Sequence, residues 1–138
     1  MREIFIPPPE DKPDHILRRL YSDEVIEAGG RNMVVHELAK RADFATMFGS
    51  LSTNLESLVM TKTQRETFCH EHRDKLHQDG YATFFLHKED EIKPATPENL
   101  VVAYVYVDSD SLGVNTYRFE VGGVWAAEYQ YRLVSPLN

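Results

Sequence analysis

TYRFEVGGVWAAEYQYRLV, residues 116–134, is the longest stretch of the chain with a clear hydrophobic period. Large apolar residues alternate with polar ones on both sides of Gly122-Gly123, which is the pattern of half-buried strands. Two such strands around a pair of glycines predict a β-hairpin. We therefore expect this hairpin to define the core face of the domain.

Two loop lengths are compatible with this hairpin, and they sort its side chains differently. A two-residue glycine loop would split the large apolar residues between the two faces. A three-residue loop, Gly122-Gly123-Val124, pairs Val121 with Trp125 and gathers the apolar residues on one face. We favour the longer loop, which also places Arg118 opposite Glu128 on the other face.

Upstream of the hairpin, four segments have the apolar spacing of amphipathic helices. They run from Pro13 to Gly29-Gly30, from Met33 to about Phe48, over Ser50–Lys62, and from the capping-box pattern Thr63-Gln-Arg-Glu66 to Gly80. The glycines that follow these segments are interpreted as helix terminators.

Downstream of Gly80 the apolar residues alternate instead. Tyr81–His87 and Leu100–Val107 are predicted strands, and the second is so apolar that it should be central. Lys88–Asn99 is predicted to be a charged loop, and Asp108–Gly113 a turn. Helices followed by strands predict an α+β fold. We expect three to four N-terminal helices on one face of a C-terminal, roughly four-stranded antiparallel sheet.

The length of the chain, 138 residues, predicts a single domain spanning 1–138. Residues 1–12 contain Pro7-Pro8-Pro9 and are predicted to form a Pro-rich N-terminal arm. No apolar run approaches the roughly 20 residues of a membrane span, and no signal-peptide pattern opens the chain. Cys69 is the only cysteine, so an internal disulfide is excluded. We expect a soluble, cytoplasmic protein that does not bind membranes.

The net charge of the chain is −7. This charge argues against direct binding of nucleic acid, since such binding depends largely on neutralising phosphates. An acidic protein surface is attracted to a basic partner. We therefore expect a protein partner.

Several clusters of chemically active residue types resemble functional motifs, but each is incomplete. In Cys69-His70-Glu71-His72 the two histidines diverge by about 200° on a helix, which is poor spacing for one zinc ion. His36-Glu37 begins like the zinc-protease motif HExxH, but Lys40 occupies the position of the second histidine. We predict no metal, no cofactor and no catalytic residues.

The aromatic residues of the predicted sheet are the candidate site. The five candidates for binding a ligand or partner are Tyr104, Tyr117, Trp125, Tyr129 and Tyr131. If the helices cover this face, the rings are core. If part of the face is open, the rings form a pocket or a partner-binding surface, since Tyr and Trp join a large apolar body to a polar group.

These observations predict a small acidic, non-enzymatic protein that acts by binding another macromolecule, as a regulator or inhibitor. The alternative is a small-molecule-binding domain, or an enzyme, with an aromatic-lined pocket between helices and sheet. We also expect a homodimer, because Leu133–Asn138 is predicted to end a strand at the edge of the sheet.

Overall fold

The computed structural model describes residues 15–109, 111–120 and 123–137, and the predicted arm at 1–12 lies outside these ranges. Seven strands form one mixed sheet: β1 (Leu17–Leu20), β2 (Ile26–Ala28), β3 (Arg31–Leu38), β4 (Thr83–Lys88), β5 (Leu100–Asp108), β6 (Ser111–Arg118) and β7 (Arg132–Pro136). Two α-helices accompany them: α1 (Phe44–Gly49) and α2 (Lys62–Glu71). Short 3-10 helices cover Leu55–Leu58, Arg73–Lys75, Pro97–Asn99 and Ala127–Tyr129.

The strand order across the sheet is β1-β3-β7-β4-β5-β6, with β2 also paired to β3. β4 and β7 are parallel, and every other pair among the described strands is antiparallel. The predicted α+β fold, with three to four helices on one face of a four-stranded antiparallel sheet, is therefore wrong. The described part of the chain is a large mixed sheet with little helix.

The predicted helix from Pro13 to Gly29-Gly30 is replaced, within the described residues, by strands β1 and β2. The two glycines do not end a helix but form the loop of a tight hairpin, in which Ala28 pairs with Arg31. Their φ angles are 60° and 79°. Two consecutive positive φ angles are the requirement of a type I′ hairpin turn, which glycine meets without strain.

The predicted helix from Met33 to about Phe48 is also wrong over most of its length. β3 occupies its first part, flanked on one side by β1 and β2 and on the other by β7. Four consecutive residues, Met33–His36, are buried because both faces of this central strand are covered. A continuous apolar run of this kind lacks the alternation that identifies a strand. Only α1 remains helical, and Asp43 caps it by accepting a hydrogen bond from the Thr46 amide at 2.8 Å.

α2 overlaps the helix predicted from Thr63 to Gly80, but it begins one residue earlier, at Lys62, and is shorter than expected. Its capping box is formed by Thr61 and Gln64, two residues earlier than the predicted pattern. The helix ends at Glu71. The segment before it, Ser50–Lys62, contains a 3-10 turn rather than the predicted α-helix.

The helices pack on opposite faces of the sheet, which corrects the prediction that they share one face. On the face that carries α1, hereafter the α1 face, Phe44 and Phe48 pack against side chains such as Phe84 and Leu133. On the other, the α2 face, Phe68 packs against a second set. Members of this second set include Phe85, Val105 and Val134. Each face therefore has its own hydrophobic core.

The predicted C-terminal hairpin does not form. β7 pairs with β3 and β4, and β6 pairs with β5. Trp125 forms an isolated bridge with Ala42 instead of the predicted pair with Val121, which lies outside the described residues. The predicted cross-strand pair of Arg118 and Glu128 does not form either, because Arg118 is paired with Val101 of β5 and Glu128 lies in a 3-10 helix. The guanidinium of Arg118 lies 3.3 Å from Glu89.

The segment predicted to lie at the sheet edge is central. β7 contains most of Leu133–Asn138 and sits between β3 and β4, where it buries four of its five residues. β6 occupies the edge instead, with β5 as its one strand partner among the described residues. The edge on which a dimer was predicted is therefore not available.

Candidate functional site

The sheet gathers a cluster of aromatic rings on the α1 face, toward its β6 edge. The ring of Trp125 lies 5.0 to 5.8 Å, centroid to centroid, from the rings of Phe44, Phe84, Tyr104, Tyr117 and Tyr131. Most of these contacts are edge-on or tilted, as aromatic pairs prefer. Trp125 is thus the centre of the cluster.

The register of the strands explains why these rings share one face. Phe84 of β4 lies directly opposite Tyr104 of β5, and directly paired residues point to the same side. Tyr106 follows on that side and lies opposite Gly113 of β6. A Cβ atom added at Gly113 would lie 2.0 Å from the Tyr106 ring, so the absence of a side chain lets the ring lie across the edge strand.

Trp125 reaches the cluster because the chain returns over the α1 face after β6. Its backbone exchanges two hydrogen bonds with Ala42: the Trp125 amide donates at 2.9 Å and the Ala42 amide donates at 3.2 Å. The indole Nε1 is buried and has no hydrogen-bond partner among the described residues. An unsatisfied buried donor costs about 1–3 kcal/mol, so this indole is held by packing rather than by its polar atom.

The cluster opens gradually toward solvent. Tyr131 is 8% exposed, whereas Tyr129 is 40% and Tyr81 is 37% exposed. The last two rings stack at 4.7 Å. Burial raises the pKa of Tyr131 to about 12 and, in the same direction, the pKa of Tyr104. These two hydroxyls are therefore protonated at neutral pH and can donate hydrogen bonds.

The five residues proposed from the sequence belong to one connected cluster. Tyr104, Tyr117 and Tyr131 contact Trp125, and Tyr129 contacts Tyr131 at 6.0 Å. Four further members of the cluster, Phe44, Tyr81, Phe84 and Tyr106, are not among the candidates. Phe44 lies far from the others in sequence and was assigned to a helix, so no local signal connected it with them.

β6 forms the border of this aromatic face, and its outer backbone edge has no strand partner among the described residues. It pairs with β5 over its whole length, from Asp108↔Ser111 to Val101↔Arg118, without a bulge. Asn115 and Thr116 near its middle are exposed. Ser111–Tyr117 is a run of seven uncharged residues in a chain that is 27% charged. Natural edge strands usually carry charges, proline or bulges that prevent pairing, and β6 has few of these protections.

A buried serine–histidine pair lies elsewhere on the sheet. His36 Nε2 is 3.1 Å from Ser135 Oγ, which is the distance expected between a nucleophile and its base. Ser135 is only 3% exposed, however, and burial followed by the Arg19 charge lowers the pKa of His36 to about 4. A weakly basic ring beside an inaccessible hydroxyl fits a structural hydrogen bond better than a catalytic one.

The thiol and the histidines of α2 do not converge. Cys69 is buried, and burial raises its pKa to about 11, which keeps it in the unreactive thiol form. His72 Nε2 donates to the Glu27 carbonyl at 2.8 Å. The described residues contain no group of three or more His, Cys, Asp or Glu side chains placed to hold a metal ion.

Surface cavities of about 230 to 280 Å³ lie elsewhere on the described part of the chain, and their linings do not include the five candidates. The helices in the described part of the chain are too short or too polar to cross a membrane.

No family model matches the chain, and no curated protein and no solved structure matches it.

Proposed function

We propose that this protein is a binding module, of the regulator or inhibitor type, that pairs an extended segment of another protein with edge strand β6. The observation that carries the proposal is the regular, largely uncharged edge of β6 beside an open face of tyrosines. Addition of a strand to an exposed sheet edge is a recurrent mode of peptide recognition, in which the backbone supplies affinity.

Side chains on the α1 face would provide selectivity. Residues of an added strand point alternately to the two faces, so every second residue meets the tyrosine side of the sheet. Tyr104, Tyr106 and Tyr117 lie there, each partly buried and partly open. Aromatic faces favour apolar and aromatic side chains, and they also attract Arg and Lys. We expect the partner segment to carry such residues at alternate positions.

The net charge supports the same kind of partner. A protein of net charge −7 attracts basic segments and repels acidic ones, which affects the association rate above all. The buried, unpaired thiol of Cys69 is consistent with a reducing compartment, and a cytoplasmic location is part of this proposal.

The alternative, a small-molecule site or enzyme with an aromatic-lined pocket, has less support. Trp125 fills the space between the rings of the cluster, at centroid distances of 5.0 to 5.8 Å. The rings therefore pack against each other and expose their rim. A packed cluster with an open edge is a surface for a macromolecule rather than a container for a ligand.

A selection experiment with mapped binding tests the proposal. Peptides would be selected from a random 12-residue display library on the immobilised protein, and synthetic copies would be titrated against it. Hydrogen exchange measured with and without bound peptide should show new protection at backbone amides of Ser111–Arg118. We expect every second residue of the selected sequences to be apolar or basic, with residues of any type between them.

Two matched variants identify the edge as the binding element. Asn115→Lys and Thr116→Lys place a charge on an exposed position of β6, and each should weaken peptide binding about tenfold or more. Val25→Lys is the control, because this side chain is 84% exposed and lies outside the strands. Peptides that protect another element, or that bind both β6 variants as well as they bind Val25→Lys, would contradict the proposal. If the protein forms a dimer and Asn115→Lys dissociates it, the strand that pairs with β6 comes from a second copy of this chain rather than from another protein.

A further inference from the structure

A cavity on the α2 face, opposite the aromatic cluster, combines cationic walls with an apolar floor. It measures about 260 Å³ and lies between α2 and strands β4, β5 and β6. Lys62 and Arg65 of α2 contribute its cationic wall, and Val101 and Ala103 of β5 contribute its floor. The volume is below the roughly 300–1,000 Å³ of cavities that hold drug-sized ligands.

Arg65 is held in place by a buried histidine. His87 Nδ1 donates to the Met60 carbonyl at 2.7 Å, so the other ring nitrogen, Nε2, carries a lone pair. Arg65 NH1 donates to this nitrogen at 3.1 Å. His87 is 7% exposed, and burial is the main cause that lowers its pKa to about 4. The neutral ring thus orients the guanidinium without neutralising it.

The charge of Arg65 has no ion-pair partner, because the described residues place no carboxylate oxygen within 4.0 Å of its guanidinium. Two other charged residues of the lining are paired: Lys88 with Glu56 at 2.5 Å, and Glu89 with Arg118 at 3.3 Å. Glu91 and Lys62 also lie at the cavity, but both side chains are exposed, so water and salt screen their opposite charges and the half-buried Arg65 dominates.

From this geometry we infer that the cavity binds a small carboxylic acid with a short hydrocarbon part. The carboxylate accepts hydrogen bonds from the free N–H groups of Arg65, with Lys62 as a second cation nearby. Guanidinium suits a carboxylate because the two planar groups can form parallel hydrogen bonds. The hydrocarbon part covers Val101 and Ala103, which a purely inorganic anion would leave in contact with water.

The argument for this site does not use the proposed strand pairing at β6, although the two sites share Thr116. Thr116 is the residue of β6 that lines the cavity, and its side chain points to the α2 face, away from the tyrosines. A failure of peptide binding at β6 would therefore not contradict binding of a carboxylic acid in the cavity. A failure of acid binding would likewise not contradict strand pairing at β6.

NMR titration with sodium butyrate tests the inference, with sodium chloride used to keep the ionic strength constant. Butyrate should cause saturable shifts of the Arg65 Nε–H and His87 ring signals. Arg65→Gln keeps a donor for His87 but removes the charge, and it should weaken binding at least about tenfold. Arg41→Gln is the matched control, since Arg41 is exposed and does not line the cavity.

Two further probes separate the contributions of charge and hydrocarbon. Butylammonium, which has the same chain and the opposite charge, should cause no saturable shift. Inorganic phosphate should bind more weakly than butyrate, and binding as tight or tighter would overturn the role of the apolar floor. Two results would overturn the site itself. One is that butyrate shifts the signals no more than chloride does, and the other is that the butyrate-induced shifts of the His87 ring are unchanged in Arg65→Gln.

Discussion

Trp125 is the residue that joins the returning chain to the sheet. Its ring is the common neighbour of Phe44 from α1, Phe84 from β4 and Tyr117 from β6. No two of these three elements are adjacent in sequence. A single side chain therefore connects three separate parts of the α1 face.

Replacing Trp125 should separate the contribution of its ring from that of its polar atom. Trp125→Ala should cost about 3 kcal/mol of unfolding free energy, because removal of a large buried ring typically costs about 3–5 kcal/mol and this ring is partly open. Trp125→Phe should cost only about 1 kcal/mol, since it keeps an aromatic ring and removes the buried unsatisfied N–H. Urea unfolding measures both free energies. It is followed by circular dichroism, because Trp125 is the only tryptophan and both variants lack its fluorescence.

Glu128→Ala is the control for this series. The side chain is exposed and Arg118 is paired with Glu89, so the change should cost less than about 0.5 kcal/mol. A Trp125→Ala protein that keeps its full stability but loses binding of the selected peptides would contradict a core role. Trp125 would then belong to the binding surface.

The aromatic face was accessible from the sequence even though the predicted geometry of its residues was wrong; its role in binding stays a prediction. Alternating tyrosines predict that one face of a sheet is aromatic, and this holds for Tyr104 and Tyr106 in any register that keeps β5 a strand. The contact between Trp125 and Phe44 was not accessible, because it depends on where the chain crosses after β6. Local alternation contains no information about such long-range placement.

At the scale of elements, the tight hairpin of the structure joins β2 to β3, whereas the sequence predicts one at Gly122-Gly123. Its loop glycines were interpreted as the end of a helix, since both a helix terminus and a type I′ turn use glycine at positive φ. β1 and β2 are also short, with four and three residues. Strands of this length show too few alternations to be distinguished from a helix by period.

A matched pair of glycine variants tests this hairpin. Gly30→Ala should destabilise the protein by about 1–2 kcal/mol, because φ is +79° and alanine is strained there. Gly49→Ala, at the last residue of α1, should be neutral or stabilise by up to about 1 kcal/mol. An added Cβ atom meets nothing within 4 Å at either site, so backbone conformation is the difference between them. Equal melting temperatures for the two variants would contradict the turn.

At the scale of the whole molecule, buried histidines connect stability to pH. Burial lowers the pKa of His36 and of His87 from 6.5 to about 4, and it lowers that of His77 in the same direction. The rings of His36 and His87 are neutral in the folded protein but protonated in the unfolded chain between about pH 4 and 6.5. The unfolded state then binds more protons, so stability falls as the pH falls through this window.

The free energy of unfolding should therefore decrease between pH 7 and pH 4.5, by a total on the order of 3 kcal/mol for each of His36 and His87. Urea titrations at constant ionic strength measure this decrease. The double variant His36→Gln/His87→Gln should show a flatter profile over the same window, whatever its stability at pH 7. Carboxylates such as Asp43, whose pKa is lowered by hydrogen bonds from Thr46, act at more acidic pH. A wild-type profile that is flat from pH 7 to 5 would contradict the prediction.

The position of β7 has a consequence for synthesis of the protein on the ribosome. β7 is translated after the other six described strands, yet it lies between β3 and β4 and joins the two halves of the sheet. Until it leaves the exit tunnel, the nascent chain holds β3 and β4 with unpaired inner edges, each able to bind a strand from a neighbouring polysome chain. Assembly of the described sheet must therefore wait for β7, and a nascent chain stalled before Arg132 should depend on chaperones that shield exposed strands.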